Sequence, residues 1–375
     1  MISSLWDDTL LEADVAVIGA GLIGTSTALE LAEAFPEMRI VLLERDIVPF
    51  GASSRNAGFA CFGSLSEVVS DVNRIGLDAA LAVLEWRRSG LERLRARLGD
   101  AALGFEAAGG YEVFVDDHPA LTQLDDINTV LGPLFEGGPV YHRCDDMAEA
   151  FGFGPQVRAM VHTPYEGVIQ SGTMMQELWR VAARHGIGLR TGCTVLDMQE
   201  GHDGVHLHVS ASGTERQMRV QRVVVATNAF ISQLLPWMTV VPGRGQIILT
   251  SPVASLPLRG SFHMDEGFVY FRTVGQRILL GGGRNRDIEG ETTTAMETTD
   301  TITDYLEDIL RTVILPGQQV AIDRRWAGIM GFSASKQPIV ERRNRTIGAF
   351  GCNGMGVAIG SHIARMAASE CLAEW

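Results

Sequence analysis

Hydrophobic residues near the start of the chain form two short runs, separated by a glycine-rich turn and a helical segment. Val15–Ile18 contains no polar residue, which is typical of a strand covered on both faces. This run leads through GAGLIG, residues 19–24, into a helix-forming segment that stops at Pro36. A second apolar run, Ile40–Leu43, ends on Glu44. The pattern predicts a strand, a glycine turn, a helix and a second strand that ends on an acid.

Each glycine of this turn has its own physical role. Gly19 allows the tight turn, Gly21 lets the backbone approach a pyrophosphate without a Cβ, and Gly24 lets the helix pack closely on the strand. Backbone N–H groups at the helix start favour a diphosphate, because the helix dipole attracts negative charge there. Glu44, 25 residues after Gly19, can accept hydrogen bonds from both hydroxyls of an adenosine ribose. It would repel a ribose phosphate, so the pattern favours FAD or NAD over NADP.

The rest of the chain alternates between helical and strand-like patterns. Helical patterns cover Glu67–Arg97 and Thr173–His185, and a strand is expected at Thr194–Met198. Another strand is expected at Val240–Thr250, followed by a hairpin around Val274-Gly275.

The chain of 375 residues exceeds the size at which one hydrophobic core usually stops growing, so two domains are expected. The order of elements predicts an α/β fold. A Rossmann-like nucleotide-binding domain is assigned to residues 1–75, 150–232 and 322–375. A discontinuous α+β domain with an antiparallel sheet is assigned to residues 76–149 and 233–321.

Composition and charge narrow the function classes. With 46% hydrophobic and 20% charged residues, the chain can bury large cores. No apolar run approaches the roughly 20 residues that a spanning helix needs, and the first residues lack the pattern of a signal peptide. We therefore expect a cytoplasmic protein without a membrane contact. A net charge of −14 disfavours a nucleic-acid partner, which would need clustered Lys and Arg.

The cysteine and histidine positions predict no metal site. The five cysteines are widely spaced and form no CxxC motif, so neither a disulfide framework nor a zinc site is expected. His206 and His208 share one face of a strand, but no third ligand of suitable spacing is nearby.

The loop GASSRNAGFACFGS, residues 51–64, is rich in small residues but also contains Phe59 and Phe62. Apolar side chains would be poor choices for an exposed loop, so its backbone is expected to lie against something flat. The glycine turn followed by this loop resembles the FAD-dependent amine and amino-acid oxidoreductases, a group that contains D-amino-acid oxidase, glycine oxidase and monomeric sarcosine oxidase. The segment DRRWAGIMGFSASKQPIVE and the final glycine loop are similar to the family pattern and occur in the same order.

The resemblance implies FAD as the cofactor, bound between the first domain and a substrate domain. The flavin is expected to be non-covalent, because Gly328 falls near the position at which sarcosine oxidase has its flavin-linked cysteine; Cys352 is then the only nearby thiol to check. The implied cofactor contacts lie in the first turn (Gly19, Gly21, Leu22, Ile23, Gly24), after the second strand (Glu44, Arg45), in the loop (Ser53, Ser54, Arg55, Asn56, Ala57, Gly58, Phe59), at Val195, Thr227, Asn228 and Gly328, and in the last loop (Gly351, Cys352, Asn353, Gly354, Met355, Gly356, Val357).

The resemblance also implies a substrate pocket on the antiparallel strands, lined by Phe59, Phe268, Tyr270, Arg284 and Met330. For Phe268 and Tyr270, core packing is an equally weighted alternative.

Two positions depart from the glycine-oxidase pattern, which has Arg where this chain has Met330 and Gly354. We therefore hypothesise that Arg284 binds the substrate carboxylate, and that Met330 leaves room for a bulkier, more apolar substituent. Lys336 and Arg272 are weaker candidates; surface charge is the alternative interpretation for both, and it is the favoured one for Lys336.

The implied reaction is flavin-centred and needs no catalytic side chain. Hydride would pass from the carbon next to the amine to flavin N5, the imine would be hydrolysed, and O2 would be reduced to H2O2. The expected enzyme is an amine oxidase of the glycine/sarcosine-oxidase type, acting on an N-substituted glycine or another amino acid. The alternatives are a D-amino-acid or 2-hydroxyacid dehydrogenase that uses a quinone or another acceptor, and a scaffold in which FAD is structural. The sequence does not predict the oligomeric state.

Overall fold

Two eight-stranded sheets and one two-stranded sheet organise the chain in the computed structural model, which describes residues 11–135 and 138–375. Residues 1–10 of the predicted first domain lie outside the described residues. In chain order, the described strands are β1 (Glu12–Ile18), β2 (Ile40–Leu43), β3 (Phe59–Ala60), β4 (Gly110–Phe114), β5 (His142–Arg143), β6 (Ala159–Thr163), β7 (Gly167–Val168), β8 (Gly188–Arg190), β9 (Cys193–Gly201), β10 (Gly204–Ala211), β11 (Thr214–Val225), β12 (Val241–Thr250), β13 (Ser261–Met264), β14 (Val269–Val274), β15 (Arg277–Gly282), β16 (Ile322–Phe332), β17 (Ile339–Arg343) and β18 (Thr346–Phe350).

The α-helices of the described residues vary from single turns to six turns. They are α1 (Leu22–Ala34), α2 (Ala52–Arg55), α3 (Leu65–Ile75), α4 (Leu77–Leu98), α5 (Asp100–Leu103), α6 (Leu124–Leu131), α7 (Met147–Ala150), α8 (Ser171–Arg184), α9 (Asp300–Ile309) and α10 (Gly356–Leu372). None of those helices has both the length and the apolar character that crossing a membrane requires.

The first sheet has β1 at its centre, and its main path runs β17-β18-β11-β1-β2-β8. β1 is parallel to β2 and to β11, with Ile18 opposite Leu43 on one side and Val225 on the other. The carboxyl ends of these strands therefore meet at one edge of the sheet. Helices α1, α8 and α10 bury one face, and β9 and β10 extend β11 as a ribbon. The predicted order of strand, glycine turn, helix and strand is confirmed.

The second sheet runs β16-β12-β15-β14-β13-β4-β6-β5 and is antiparallel except between β4 and β13. Its core combines buried aliphatic side chains with stacked Phe262 and Phe271, whose ring centroids lie 4.8 Å apart, and helix α9 packs against it. The predicted hairpin is β14–β15. Its turn falls on Gly275-Gln276, one residue later than predicted, because Val274 pairs with Arg277.

Several segments differ from the sequence-based expectation. The long helical region predicted from Glu67 to Arg97 is two helices, because Gly76 between them has φ +85°, a conformation that ends a helix. Residues 322–332 were assigned to the nucleotide-binding domain, but β16 pairs with β12 in the second sheet along nearly its whole length. Helix α4, assigned to the second domain, packs on α10 beside the first sheet. Segments assigned to one predicted domain thus pack with the sheet of the other. The domain boundaries remain predictions.

The crossing of α4 and α10 leaves no room for a side chain at Gly90. A Cβ built there would lie 2.2 Å from the carbonyl oxygen of Ala358 in α10. Gly90→Ala should therefore lower the free energy of unfolding by about 1–3 kcal/mol, the usual cost of overpacking. Urea unfolding of the holoprotein measures this change. The control is Gly172→Ala, on the exposed first turn of α8 with nothing within 4 Å, which should be neutral or slightly stabilising. Equal effects of the two substitutions would contradict the crossing.

Candidate functional site

A cavity of about 930 Å³ lies where the carboxyl edge of the first sheet faces the second sheet. One end is lined by Glu44 and Val195, beyond the ends of β2 and near the start of β9. The other end is lined by Tyr270 of β14 and by Arg284, just past β15. The cavity therefore extends from the first sheet to the second. Most of the predicted cofactor-binding residues and all of the predicted substrate-binding residues lie along it.

The first strand-to-helix turn forms one wall through close backbone contacts. A Cβ on Gly24 would lie 1.9 Å from the carbonyl oxygen of Gly19, so α1 packs on the turn as predicted. The N–H of Leu22 donates to Ser53 Oγ at 2.9 Å, and Gly21 provides no side-chain cap for the helix. The start of α1 thus faces the cavity with backbone groups, which is the arrangement that favours an anion.

Glu44 is held in place by two backbone donors. Its Oε2 accepts from the N–H of Ala20 at 3.1 Å, and its Oε1 accepts from the N–H of Asp46 at 3.2 Å. Burial raises the pKa of Glu44. The carboxylate therefore lies at a fixed position beside the turn, where it can accept further hydrogen bonds from a ligand in the cavity.

The loop of residues 51–64 is held in place by hydrogen bonds from neighbouring segments. Asn56 Oδ1 accepts from the N–H of Gly58 at 2.8 Å and from Ser171 Oγ at 2.7 Å. Arg272 donates to the carbonyl oxygens of Gly58 at 2.9 Å and Ile169 at 2.8 Å. Burial lowers the pKa of Arg272 to about 10. The interpretation of Arg272 as a surface charge or a carboxylate anchor is wrong, because its guanidinium is buried and supports the backbone of the loop.

The last glycine loop forms the opposite wall. Asn353 Nδ2 donates to the carbonyl oxygens of Gly351 and Lys336, both at 2.8 Å, and Asn353 Oδ1 accepts from the N–H of Ser333 at 2.8 Å. Helix α10 then begins at Gly356, which lines the cavity. Two helix N-termini, those of α1 and α10, therefore border the same space.

Most of the predicted cofactor residues line this cavity, and four do not. Gly24 packs on Gly19, Ser54 Oγ donates to the carbonyl oxygen of Pro49, and Gly58 and Gly351 have positive φ angles and face neighbouring backbone. Those that line the cavity are Gly19, Gly21, Leu22, Ile23, Glu44, Arg45, Ser53, Arg55, Asn56, Ala57, Phe59, Val195, Thr227, Asn228, Gly328, Cys352, Asn353, Gly354, Met355, Gly356 and Val357.

The predicted substrate residues come together at the other end. Phe59 meets Tyr270 edge to face, with centroids 5.6 Å apart. The guanidinium of Arg284 lies 4.5 Å from the ring centre of Phe332 and 5.8 Å from that of Phe268, and burial lowers its pKa. Because Phe268 and Tyr270 both line the cavity, they form its wall rather than the interior of a core.

The same end contains further residues with polar or ionisable side chains. Glu67, at the start of the region predicted to be helical, is buried, and its Oε2 has no hydrogen-bond partner among the described residues. Lys336 also lines the cavity and ion-pairs with Asp71, so the surface-charge interpretation is wrong. Cys61 lines the cavity as well as Cys352, so Cys352 is not the only nearby thiol. The apolar residues on either side of Cys61 were the signal in the sequence that this part of the loop is buried.

The residues present fit a flavin dinucleotide. Gly21, Gly328 and Gly354 line the cavity without side chains, which leaves flat surfaces for a ring and a diphosphate. Thr227 Oγ1 is buried beside this space and has no hydrogen-bond partner in the described part of the chain. The carboxylate at one end suits the adenosine, and the helix N-termini in the middle suit the diphosphate. The small residues near the aromatic wall suit the flavin ring.

Comparisons with known proteins agree with this fit. The family model described as FAD dependent oxidoreductase matches residues 14–370. The chain is similar to the probable oxidoreductase OrdL of Haemophilus influenzae, with 23% identity over 380 residues, 96% of this chain and 83% of that protein. L-proline dehydrogenase from P. horikoshii has a similar structure, with a TM-score of 0.77 and 16% identity over 97% of this chain and 94% of that one. Glycine oxidase from Bacillus cereus ATCC 14579 gives a TM-score of 0.74 and 17% identity over 95% and 96% of the two chains. These structural likenesses confirm the predicted fold.

Replacing Glu44 tests the nucleotide end of the cavity. Glu44→Gln removes a charged acceptor, and hydrogen bonds to charged groups contribute about 1.5–3 kcal/mol, so the Kd for FAD should rise roughly 10- to 100-fold. Titration of the flavin-free protein with FAD, followed by flavin fluorescence, measures this change. The exposed Glu37→Gln is the control and should bind FAD like the unmodified protein. An unchanged Kd for the Glu44 variant would place the adenosine elsewhere.

Proposed function

The chain belongs to the family of FAD-dependent oxidoreductases, and we propose that it oxidises a small amine or amino acid with a non-covalently bound FAD. The adenosine of FAD would lie at Glu44, the diphosphate at the start of α1, and the ring between the loop of residues 51–64 and the last glycine loop. Two observations support non-covalent binding. Gly328 lines the cavity, and burial raises the pKa of Cys352 to about 12, which keeps that thiol protonated.

The observation that carries the proposed substrate class is the position of Arg284. This guanidinium is half-buried, lines the aromatic end of the cavity and has two phenylalanine rings beside it. A planar guanidinium binds a carboxylate with two parallel hydrogen bonds, and partial burial strengthens that interaction. We propose that Arg284 binds the carboxylate of an amino acid or of an N-substituted glycine.

The remaining residues at this end would orient the substrate and exclude water. When bound, FAD supplies the two-electron oxidation of the carbon next to the substrate nitrogen. An apolar wall is formed by Phe59, Phe268 and Tyr270. It would hold the substrate with the carbon next to its nitrogen toward the flavin. Burial raises the pKa of Tyr270 to about 12, so it stays a neutral phenol that can donate a hydrogen bond. Met330 is flexible and apolar, and it would accommodate an alkyl substituent on the nitrogen.

The electron acceptor separates the main proposal from its alternative. We propose an oxidase that passes electrons to O2 and releases H2O2 after imine hydrolysis, in line with the likeness to glycine oxidase. The likeness to L-proline dehydrogenase supports a second candidate, in which a quinone or another carrier accepts the electrons.

Anaerobic flavin bleaching tests the proposed function. The purified holoprotein is mixed with glycine, sarcosine, longer N-alkyl glycines, D-amino acids, L-proline and 2-hydroxy acids, and the flavin absorbance is followed. The proposal predicts bleaching by an amino acid or an N-alkyl glycine, and peroxide on admission of air. Bleaching without peroxide would favour the dehydrogenase. Bleaching by hydroxy acids alone would contradict the amine substrate.

Substitution of Arg284 tests the proposed carboxylate contact. Arg284→Ala should raise the KM for a carboxylate substrate by about tenfold or more, because a charged hydrogen bond of about 1.5–3 kcal/mol is lost. The KM for an amine substrate without a carboxylate should change little. Steady-state kinetics measure both values, with Arg286→Ala as the control. Arg286 lies two residues away, packs on Tyr305 and is half-exposed. An unchanged KM in the Arg284 variant would contradict the assignment.

A further inference from the structure

Three buried side chains with metal-ligating atoms meet at the wall of the cavity. Cys61 directly follows β3 and Glu166 directly precedes β7, and the antiparallel pairing of those strands places the two residues opposite each other. His263 comes from β13. One ligating atom of each residue lies within 4.8 Å of the other two, and none of the three side chains is more than 5% exposed.

The distance between His263 and Glu166 suits tetrahedral coordination. His263 Nε2 lies 3.4 Å from Glu166 Oε2. Two ligands bound at about 2.0–2.1 Å to a tetrahedral zinc ion are about 3.3 Å apart. No contact of His263 Nε2 among the described residues has the geometry of a hydrogen bond, and its charged neighbour is Glu166 Oε2. In a tetrahedral zinc site with N, O and S ligands, the ligand atoms lie roughly 3.3–3.6 Å from one another. A shift of the Cys61 sulfur by less than about 1.5 Å would place it at that distance from the other two ligand atoms.

The carboxylate of Glu166 is oriented by its other oxygen. Glu166 Oε1 accepts from the N–H groups of Phe62 at 3.1 Å and Gly63 at 3.3 Å, which directs Oε2 toward His263. A Cβ on Gly110 would lie 2.1 Å from Oε2, so the space for the carboxylate depends on a glycine. Such outer contacts that fix a ligand are typical of metal sites.

The surroundings of the cluster are rich in buried acid groups. Glu112 pairs with His263 in the strand register and is held by Ser64 and Ser66 rather than by a basic residue. Glu67 is buried nearby and is partly balanced by Arg87, whose Nη1 lies 3.3 Å from its Oε1. A cation bound at the cluster would therefore lie close to several buried carboxyl groups.

We propose that Cys61, Glu166 and His263 bind a divalent cation of the zinc type. Sulfur, imidazole and carboxylate together suit zinc better than magnesium or calcium. Cys61 and His263 line the cavity, so a fourth position would face it and take water. Binding releases the thiol proton of Cys61 and the Nε2 proton of His263 to solvent, forms a metal–sulfur and a metal–nitrogen bond, and involves no electron transfer. The site does not depend on the proposed amine oxidation.

Metal analysis of the flavin-loaded protein tests this proposal. The protein is produced with added zinc, purified without a metal-affinity step and dialysed, and its zinc content is measured by mass spectrometry. We expect one zinc ion per chain. Cobalt added to the metal-free holoprotein should give d–d bands of a tetrahedral site, at longer wavelengths than the flavin absorption. These readouts do not depend on any substrate, so they can fail while the proposed function holds, and the reverse is also true.

Variants of the ligands identify the site. Cys61→Ser and Glu166→Gln should each weaken zinc binding by more than about 100-fold, because even the loss of an outer partner costs 10- to 100-fold. Cys193→Ser is the matched control, since Cys193 is also buried and lines the same cavity but lies outside the cluster. It should keep one zinc ion. Absence of stoichiometric zinc from the unmodified protein, or equal zinc affinity in the Cys61 and Cys193 variants, would overturn the proposal and leave a histidine–carboxylate ion pair.

Discussion

Close backbone packing at the first strand-to-helix turn determines where the rest of the site lies. A side chain at Gly24 would collide with the carbonyl oxygen of Gly19 at 1.9 Å, and one at Gly19 would lie 2.8 Å from the carbonyl oxygen of Ala226. The start of α1 therefore rests directly on the ends of β1 and β11. Because Glu44 accepts a hydrogen bond from Ala20 in the same turn, the end of β2 is tied to it as well. Three neighbouring strand ends and one helix N-terminus thus form a single rigid wall.

The loop of residues 51–64 is held by polar groups rather than by close packing. Arg272 reaches from the second sheet to the carbonyl oxygens of Gly58 and Ile169, and Asn56 joins the loop to α8 through Ser171. Burying a guanidinium is costly unless its hydrogen bonds are satisfied, so these contacts fix the relative position of the loop and the sheet. The same contacts fix the position of Phe59 against Tyr270 at the aromatic end of the cavity. We infer that the second sheet positions the substrate side and also the loop against which the cofactor would lie.

The parts that the sequence predicted best depend on neighbouring residues. The turn from Gly19 to Gly24, the strand that ends on Glu44 and the hairpin of β14 and β15 each follow from a local pattern of apolar, glycine and charged positions. The resemblance to a known family then indicated the cavity-lining loops in the correct order. Local patterns do not show the burial of charge, however, and they leave surface charge as an interpretation of both Arg272 and Lys336. They also do not show pairing between distant segments. The cluster of Cys61, Glu166 and His263, and the pairing of β16 with β12, depend on contacts across more than 70 residues of chain.

We propose that FAD lies along the cavity, from Glu44 to the aromatic wall of the second sheet. The decisive measurement is a crystal structure of the protein with bound FAD. We expect the ribose hydroxyls at the Glu44 carboxylate and the diphosphate at the start of α1. We also expect the flavin ring between Ala57 and the last glycine loop, with the open side of the ring facing Tyr270 and Arg284. Electron density for FAD in another orientation, or a flavin ring separated from Tyr270 and Arg284 by protein, would contradict it.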